Sequence, residues 1–144
     1  MNLKNFVICG LTGWCMEILF TAFGALLRGN SLMVGHTSLW MFPIYGMAVL
    51  IYPVYRKIHR LPLLLRGCLY AAIIMVAEFV SGSILRFFGV CPWNYAGTPN
   101  NINGLVRLDY FPVWILAGIL FERLLCYENR ERSKVIHKHE KQSN

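Results

Sequence analysis

Four long runs of apolar residues divide the chain, and the connections between them, together with the C-terminal tail, carry most of its polar residues. Each run is long enough for an α-helix to cross the roughly 30 Å hydrocarbon core of a bilayer. Prolines stand near the starts of the last three runs, where a missing backbone N–H costs least. The pattern predicts four transmembrane helices, approximately at Phe6–Leu27, Leu39–Tyr55, Leu63–Phe88 and Tyr110–Tyr127.

The first two runs resemble the last two. Phe42–Tyr45 parallels Phe111–Trp114 in sequence, and Glu17 and Glu78 are single acids inside the first and third runs. An offset of two helices preserves the direction of crossing, so the halves would be parallel repeats related by an axis along the membrane normal. We therefore predict an all-α polytopic membrane protein, with two parallel two-helix repeats. The alternative is a coincidence among apolar residues.

Composition supports the membrane assignment. The chain is 56% hydrophobic, with a mean hydropathy of +0.48, and only 15% of its residues are charged, against about 25% in soluble domains. A domain this small cannot bury so much apolar surface, so the surplus faces lipid. The net charge of +7 does not indicate nucleic acid, because the basic residues stand at the ends of apolar runs, as in membrane proteins.

Charge asymmetry predicts the orientation. The connection after the second run holds three Lys or Arg and one His, and the tail beyond residue 128 holds five Lys or Arg, whereas Gly29–Ser38 has no Lys or Arg and Gly89–Asp109 has one. The positive-inside rule then places both termini in the cytoplasm, with the chain in the cell membrane. Residues 1–127 form the predicted transmembrane domain, and 128–144 a basic, disordered cytoplasmic tail.

Glu17 and Glu78 are the strongest candidates for a functional site. Glu17 lies about 16 Å along the first helix, near the bilayer centre, where an unpaired, ionised carboxylate costs at least a few kcal/mol. Small residues at helical spacing, such as Gly13 and Thr21, allow another backbone or a ligand to approach. We predict that both acids line one polar cavity. The alternative is that they are structural hydrogen-bond partners.

Other charged residues have less specific patterns. Arg28, Arg86 and Arg107 border the outer connections, where they could pair with Asp109, attract an anionic substrate or, as we favour, anchor the interface. Glu122 lies nearer the cytoplasmic side, and a snorkelling or locally paired charge is the simplest interpretation. No metal or cofactor is expected, because the sequence has no P-loop, no H-E-x-x-H and no zinc-type cysteine spacing.

The connection from Cys91 to Gly104 has an unusual composition. It combines Pro92, Trp93, Asn94 and Tyr95 with three further asparagines, Asn103 among them. The aromatic side chains suit the membrane interface, and the amides can satisfy irregular backbone, which at membrane depth must be buried or wet. We predict an ordered lid over the outer mouth of the cavity; an ordinary surface loop is the alternative.

These motifs together resemble a known family. Gly13-Trp14-x-x-Glu17, Pro43–Gly46, Glu78-Phe79, Cys91–Tyr95 and Asn103-Gly104 with Trp114 following are similar to the CmpB-type ABC-transporter permease family and to the transmembrane protein 229 family. The resemblance covers nearly all of residues 10–122. It implies a transport role and a partner ATPase, and it adds Trp14, Tyr45 and Trp114 to the predicted cavity. The family pattern has Asp at the position of Asn94, so this loop carries one charge fewer.

Two classes of function follow. The first is a permease-like transport component, which oligomerises and moves a small or amphipathic solute past Glu17 and Glu78. The second is an intramembrane lipid-binding protein or enzyme that uses the same carboxylates near the lipid headgroups. The sequence favours the first and does not name the solute.

Overall fold

The computed structural model describes residues 3–142, which are mostly helical. The elements are α1 (Leu3–Leu27), α2 (Met41–Gly46), a 3₁₀ turn (Met47–Leu50), α3 (Ile51–Ile58), α4 (Leu63–Phe87), β1 (Asn101–Ile102), β2 (Val106–Arg107), a second 3₁₀ turn (Leu108–Tyr110) and α5 (Phe111–Gln142). Three helical stretches in this part of the chain are long and apolar enough to cross a membrane: Leu3–Leu27, Leu63–Phe87 and Leu108–Arg132. The coarser part of the prediction, a mostly helical chain with helices fit to span a membrane, is therefore confirmed.

The second apolar run does not form one continuous α-helix. It forms α2, the 3₁₀ turn and α3 in direct succession, and Met47, Leu50 and Ile51 keep right-handed helical dihedrals at the junctions. Pro53 offers a physical reason: it has no N–H for the carbonyl of Val49, four residues earlier, and its ring crowds that carbonyl. The fourth transmembrane helix and the repeat stay predictions.

The long helices lie side by side, with α1 and α4 parallel and α5 antiparallel to both. Near the start of α1, Lys4 forms an ion pair with Glu128 late in α5, and near its end Phe20 packs on Tyr110, just before α5. We call the end of the bundle where α1 and α4 finish the loop end, and the opposite end the tail end. The buried core lies toward the tail end and comprises Cys9, Val49, Ile51, Tyr70, Phe121 and Leu125.

Large apolar side chains point away from this core. Leu19, Phe87 and Leu116 are at least 70% exposed, which is the surface a membrane protein turns to lipid. Close helix contacts depend on glycine instead. A Cβ on Gly118 would lie 2.5 Å from the Cβ of Tyr70, so only glycine allows α5 to approach α4 this closely.

The two connections at the loop end are structured. Residues 33–38 turn back and run along α1, and a Cβ on Gly35 would lie 2.3 Å from the carbonyl oxygen of Ile18. The second connection holds the antiparallel strands β1 and β2, and we call residues 91–107 the loop-end hairpin. Beyond Tyr127 the backbone continues as α5 to Gln142. The predicted disorder of residues 143–144 lies outside the described residues, and the domain boundary at 127 stays a prediction.

Candidate functional site

A cavity of about 640 Å³ lies between α1, α4 and α5 at the loop end, and both connections reach it. Glu17 on α1 and Glu78 on α4 both line it. The rest of its wall is mainly apolar and aromatic. Its lining residues with polar or aromatic side chains are Glu17, Phe20, Thr21, His36, Thr37, Ser38, Tyr45, Glu78, Trp93, Tyr95, Tyr110, Trp114 and Phe121.

Glu17 is positioned by the first connection. Its Oε2 accepts a hydrogen bond of 2.6 Å from the Thr37 hydroxyl. One turn further along α1, the Thr21 hydroxyl accepts the backbone N–H of His36 at 2.8 Å. One turn back, Trp14 Nε1 donates to the carbonyl of Ser38 at 3.0 Å. Side chains at successive turns of α1 therefore hold consecutive residues of the connection in extended form, which satisfies backbone that has no helical partner.

Trp14 contributes to this site from outside the cavity wall. Its ring packs on Phe42 with centroids 5.0 Å apart, and it does not belong to the lining residues. Tyr45 does line the cavity, and it lies against Gly13: a Cβ there would be 2.1 Å from the Tyr45 ring. Gly13, a residue predicted to allow a close neighbour, therefore makes room for Tyr45, whose side chain stands beside Glu17.

Glu78 lies where two cavities adjoin. It lines the 640 Å³ cavity and also a smaller one of about 160 Å³, which extends toward α2 and α3. The Tyr95 hydroxyl and the Trp114 indole both lie beside its carboxyl. Even so, Glu78 Oε2 and Trp114 Nε1 are buried, and no described residue gives either atom a hydrogen bond of suitable geometry. A buried acceptor and a buried donor without partners are costly and are unusual in folded proteins.

The loop-end hairpin covers this region. Leu105 N donates to Ile102 O at 2.9 Å around Asn103 and Gly104, which have φ angles of 51° and 65°. This is the type I′ turn that an Asn-Gly pair favours between antiparallel strands. Trp93 Nε1 donates to Leu105 O at 3.0 Å, and the Trp93 ring lies against Gly82 of α4.

Short polar contacts fix the rest of the hairpin. Asn94 Oδ1 accepts the N–H of Ala96 at 3.0 Å, a role that needs only an acceptor oxygen and that Asn and Asp fill equally. Cys91 Sγ contacts the carbonyl of Trp93, and the adjoining Pro92 lines the cavity. Arg86, at the end of α4, donates to Asn103 O at 2.6 Å and to Gly104 O at 3.3 Å. Arg86 therefore ties the turn of the hairpin to the helix.

A second polar group joins the hairpin to the start of α5. Arg107 forms an ion pair with Asp109, and its guanidinium lies 4.3 Å from the ring centroid of Tyr110. Tyr95 packs edge-on against the same ring. Burial raises the pKa of the Tyr95 hydroxyl well above its usual range, and the nearby Glu78 carboxylate raises it further. The phenol therefore stays protonated and can donate into the cavity. Arg28, the remaining basic residue predicted near the outer connections, is exposed at the end of α1.

Glu122 lies away from the cavity, nearer the tail end. Its carboxylate accepts two hydrogen bonds from Arg66, at 2.8 and 3.0 Å, and one from the Tyr70 hydroxyl at 2.6 Å. Arg66 also donates to the carbonyl of Leu61 at 2.8 Å. Glu122 therefore pairs with a residue 56 positions away on α4, which spacing along α5 could not reveal.

Several cavity residues have no clear signal in the sequence. Thr37, Phe20, Tyr110 and Phe121 come from four separate segments, and tertiary packing alone brings them together. The sequence could have indicated Thr37 only if it were known that the first connection turns back along α1 and passes Glu17. Among the described residues, no group of three or more His, Cys, Asp or Glu side chains could hold a metal ion.

The family described as "Putative ABC-transporter type IV" matches residues 4–141 of the chain. No solved structure matches.

Proposed function

The chain belongs to this ABC-transporter type IV family, and on that premise we propose that it is a permease-like membrane component that moves a small or amphipathic solute through the cavity lined by Glu17 and Glu78. One observation carries the proposal: two carboxylates from different transmembrane helices reach the same cavity. Acids within membrane-spanning segments are costly, and they usually mark substrate or ion pathways.

The shape of the cavity supports a binding site. Its volume of about 640 Å³ lies within the usual range of roughly 300–1,000 Å³ for small-molecule sites. Its apolar and aromatic walls could hold the body of a solute while the few polar groups orient it. The loop-end hairpin, held by Arg86 and packed through Trp93, acts in this proposal as a lid over the cavity.

The proposed arrangement has four crossings and two repeats. The parallel directions of α1 and α4 support it, because the chain must return between them and only the α2–α3 segment is available. The two halves also carry similar pairs: Tyr45 stands beside Glu17, and Trp114 beside Glu78. The proposed location is the plasma membrane. By the positive-inside rule, the tail end and both termini then face the cytoplasm.

Energy for transport comes, in this proposal, from a separate ATPase. The sequence has no P-loop of its own, and the family name implies such a partner. The tail-end connection after α3 and the extension of α5 offer the surface for docking. Four helices leave only a narrow pathway, and assembly with a second copy of the chain would widen it.

Release of solutes from liposomes tests the proposal. Proteoliposomes are loaded with a mixture of small amphipathic solutes, and mass spectrometry identifies the solutes that are released. The measurement is made twice, once with the chain alone and once after fusion with native membranes that contain candidate ATPase partners. The wild-type chain should release a subset of solutes, whereas Glu17→Gln and Glu78→Gln variants should retain them, since each keeps the side-chain shape and removes a charge.

Glu128→Gln is the matched control, because Glu128 lies on α5 beside Lys4 and outside the cavity. Equal release by wild type and both cavity variants would contradict the proposed role of the two acids. Equal release by wild type and empty liposomes under both conditions would contradict transport itself.

A further inference from the structure

The charged side chains that line the cavity are all acidic. Glu17 and Glu78 supply two acids, and no Lys or Arg among the described residues lines the cavity. The arginines nearest the hairpin are engaged elsewhere: Arg86 donates to backbone carbonyls, and Arg107 pairs with Asp109. Such a cavity repels anions, and a neutral ligand would leave the carboxylates without a compensating charge.

Aromatic rings surround the same two acids. Seven aromatic side chains line the cavity. Among them, Tyr45 stands beside Glu17, and Tyr95 and Trp114 stand beside Glu78. The face of an aromatic ring attracts a cation, and a desolvated contact of this kind favours the cation over a neutral isostere by about 30-fold. Carboxylates and aromatic faces therefore select for the same charge.

A bare metal ion does not fit this wall. Hard cations such as Ca²⁺ take about six to eight oxygen ligands, and the described residues offer no cluster of three acid, His or Cys side chains. The wall is mostly apolar, and the volume of about 640 Å³ accommodates an organic molecule. A cation with an apolar body satisfies both features.

Two buried atoms define the polar part of the ligand more closely. Glu78 Oε2 is an acceptor and Trp114 Nε1 a donor; they lie near each other, but neither makes a hydrogen bond of suitable geometry with a described residue. A protonated amine can donate to the carboxylate, and a nearby ligand oxygen can accept from the indole N–H. A quaternary ammonium group, which has no N–H, would leave the Glu78 oxygen without a donor.

We infer that the ligand of this cavity is a protonated organic amine with an apolar body and an oxygen close to its nitrogen. The inference rests on the proposed function, because it names the substrate class of the same cavity. A free amino alcohol and an ethanolamine-type lipid headgroup share this chemistry.

Calorimetric titration of the purified full-length chain, in uncharged maltoside micelles, tests the inference. Three probes share one apolar body and differ in charge: naphthylmethylammonium, naphthalenemethanol and naphthoate, each corrected for heat from empty micelles. The ammonium probe should bind about 30-fold more tightly than the alcohol, and naphthoate should bind least. Equal affinity for the ammonium and alcohol probes, or tighter binding of naphthoate, would overturn the inference.

Variants locate the binding. Glu17→Gln and Glu78→Gln should each weaken binding of the ammonium probe by about tenfold or more and leave the alcohol probe unchanged, while the Glu128→Gln control binds like wild type. Glu17→Asp and Glu78→Asp keep the charge and should retain the preference for the cation. Loss of that preference in the control as well, or its survival in both Gln variants, would place the amine elsewhere and sink the inference.

Competition separates the two sources of the amine. Displacement of the ammonium probe by ethanolamine supports a free amine, and displacement by short-chain phosphatidylethanolamine supports a lipid headgroup. Failure of both to displace it at saturating concentration would overturn the amine–oxygen pairing. Release of other solutes that depends on Glu17 and Glu78, without any preference for the ammonium probe, would overturn this inference and leave the proposed transport function standing.

Discussion

At the scale of single residues, a buried and fully paired carboxylate lies apart from the candidate site. Glu122 accepts three hydrogen bonds, and its side chain is only 6% exposed. Its partner Arg66 bridges from α5 to the carbonyls of His59 and Leu61. The cluster therefore fixes the turn between α3 and α4 as well as the contact between α4 and α5.

Removing only the charge of Glu122 should be strongly destabilising. Glu122→Gln leaves the partly buried Arg66 guanidinium without its counter-charge, so the free energy of unfolding should fall by about 1.5–3 kcal/mol. An Arg66→Met, Glu122→Leu double variant should lose much less, because no unpaired charge remains. Unfolding followed by circular dichroism, as dodecyl sulfate is added to maltoside micelles, measures both. The control is Lys4→Met, whose exposed ion pair should contribute less than about 1 kcal/mol; a similar loss in the control and in Glu122→Gln would refute the burial argument.

At the scale of elements, the two connections at the loop end are held by different means. Side chains of α1 hold the first one along its length, at Trp14, Glu17 and Thr21. The second folds on itself through a type I′ turn and is tied to α4 by Arg86. Both connections contribute to the cavity wall, and we expect the second one to move as a unit if Arg86 releases it.

Arg86→Ala should loosen the loop-end hairpin. Losing even one charged hydrogen bond of about 1.5 kcal/mol raises the population of the open hairpin roughly tenfold. Iodide quenching of Trp93, in a background where Trp14, Trp40 and Trp114 are Phe, reports this opening, and Trp93 should become more accessible in the variant. Arg28→Ala is the control, since Arg28 lies at the end of α1 and no described contact joins it to the hairpin. Quenching that is equally strong before and after Arg86→Ala would show an ordinary mobile loop.

At the scale of the whole molecule, α1 and α4 run parallel, so the α2–α3 segment must return the chain from the loop end to the tail end. Both connections at the loop end line one cavity, and the proposed arrangement therefore places both on the same side of the membrane. This proposal requires the chain to cross back between α1 and α4, even though Pro53 prevents a regular helix there.

Cysteine labelling decides the number of crossings. In a background without the five native cysteines, single cysteines at Ser31, Lys57 and Thr98 report three connections. Four crossings and the positive-inside rule predict that an impermeant reagent added outside labels Ser31→Cys and Thr98→Cys and spares Lys57→Cys. Three crossings would put residues 31 and 98 on opposite sides, so labelling of only one of these two would refute the four-helix arrangement. Labelling of Lys57→Cys alone would refute the predicted orientation.

The sequence by itself determined the environment of the protein and the rough positions of its helices. Runs of apolar residues specify membrane helices locally, because a helix satisfies its own backbone hydrogen bonds wherever it lies in lipid. Local signals also mark Asn103-Gly104, because both residue types accept turn conformations. Glu17 and Glu78 stand out because a carboxylate inside an apolar run is costly whatever its neighbours are. Family membership also follows from motifs spread along the chain.

Only the tertiary structure decided which groups meet. Arg66 and Glu122 are 56 positions apart, Thr37 reaches Glu17 only because its connection turns back along α1, and Trp14 packs on Phe42 instead of lining the cavity. Such contacts depend on how closely helices approach and on the paths of irregular segments, which glycines such as Gly13 and Gly35 permit but do not specify. The cavity is a property of the space left between packed elements, so its walls combine residues that share no local pattern.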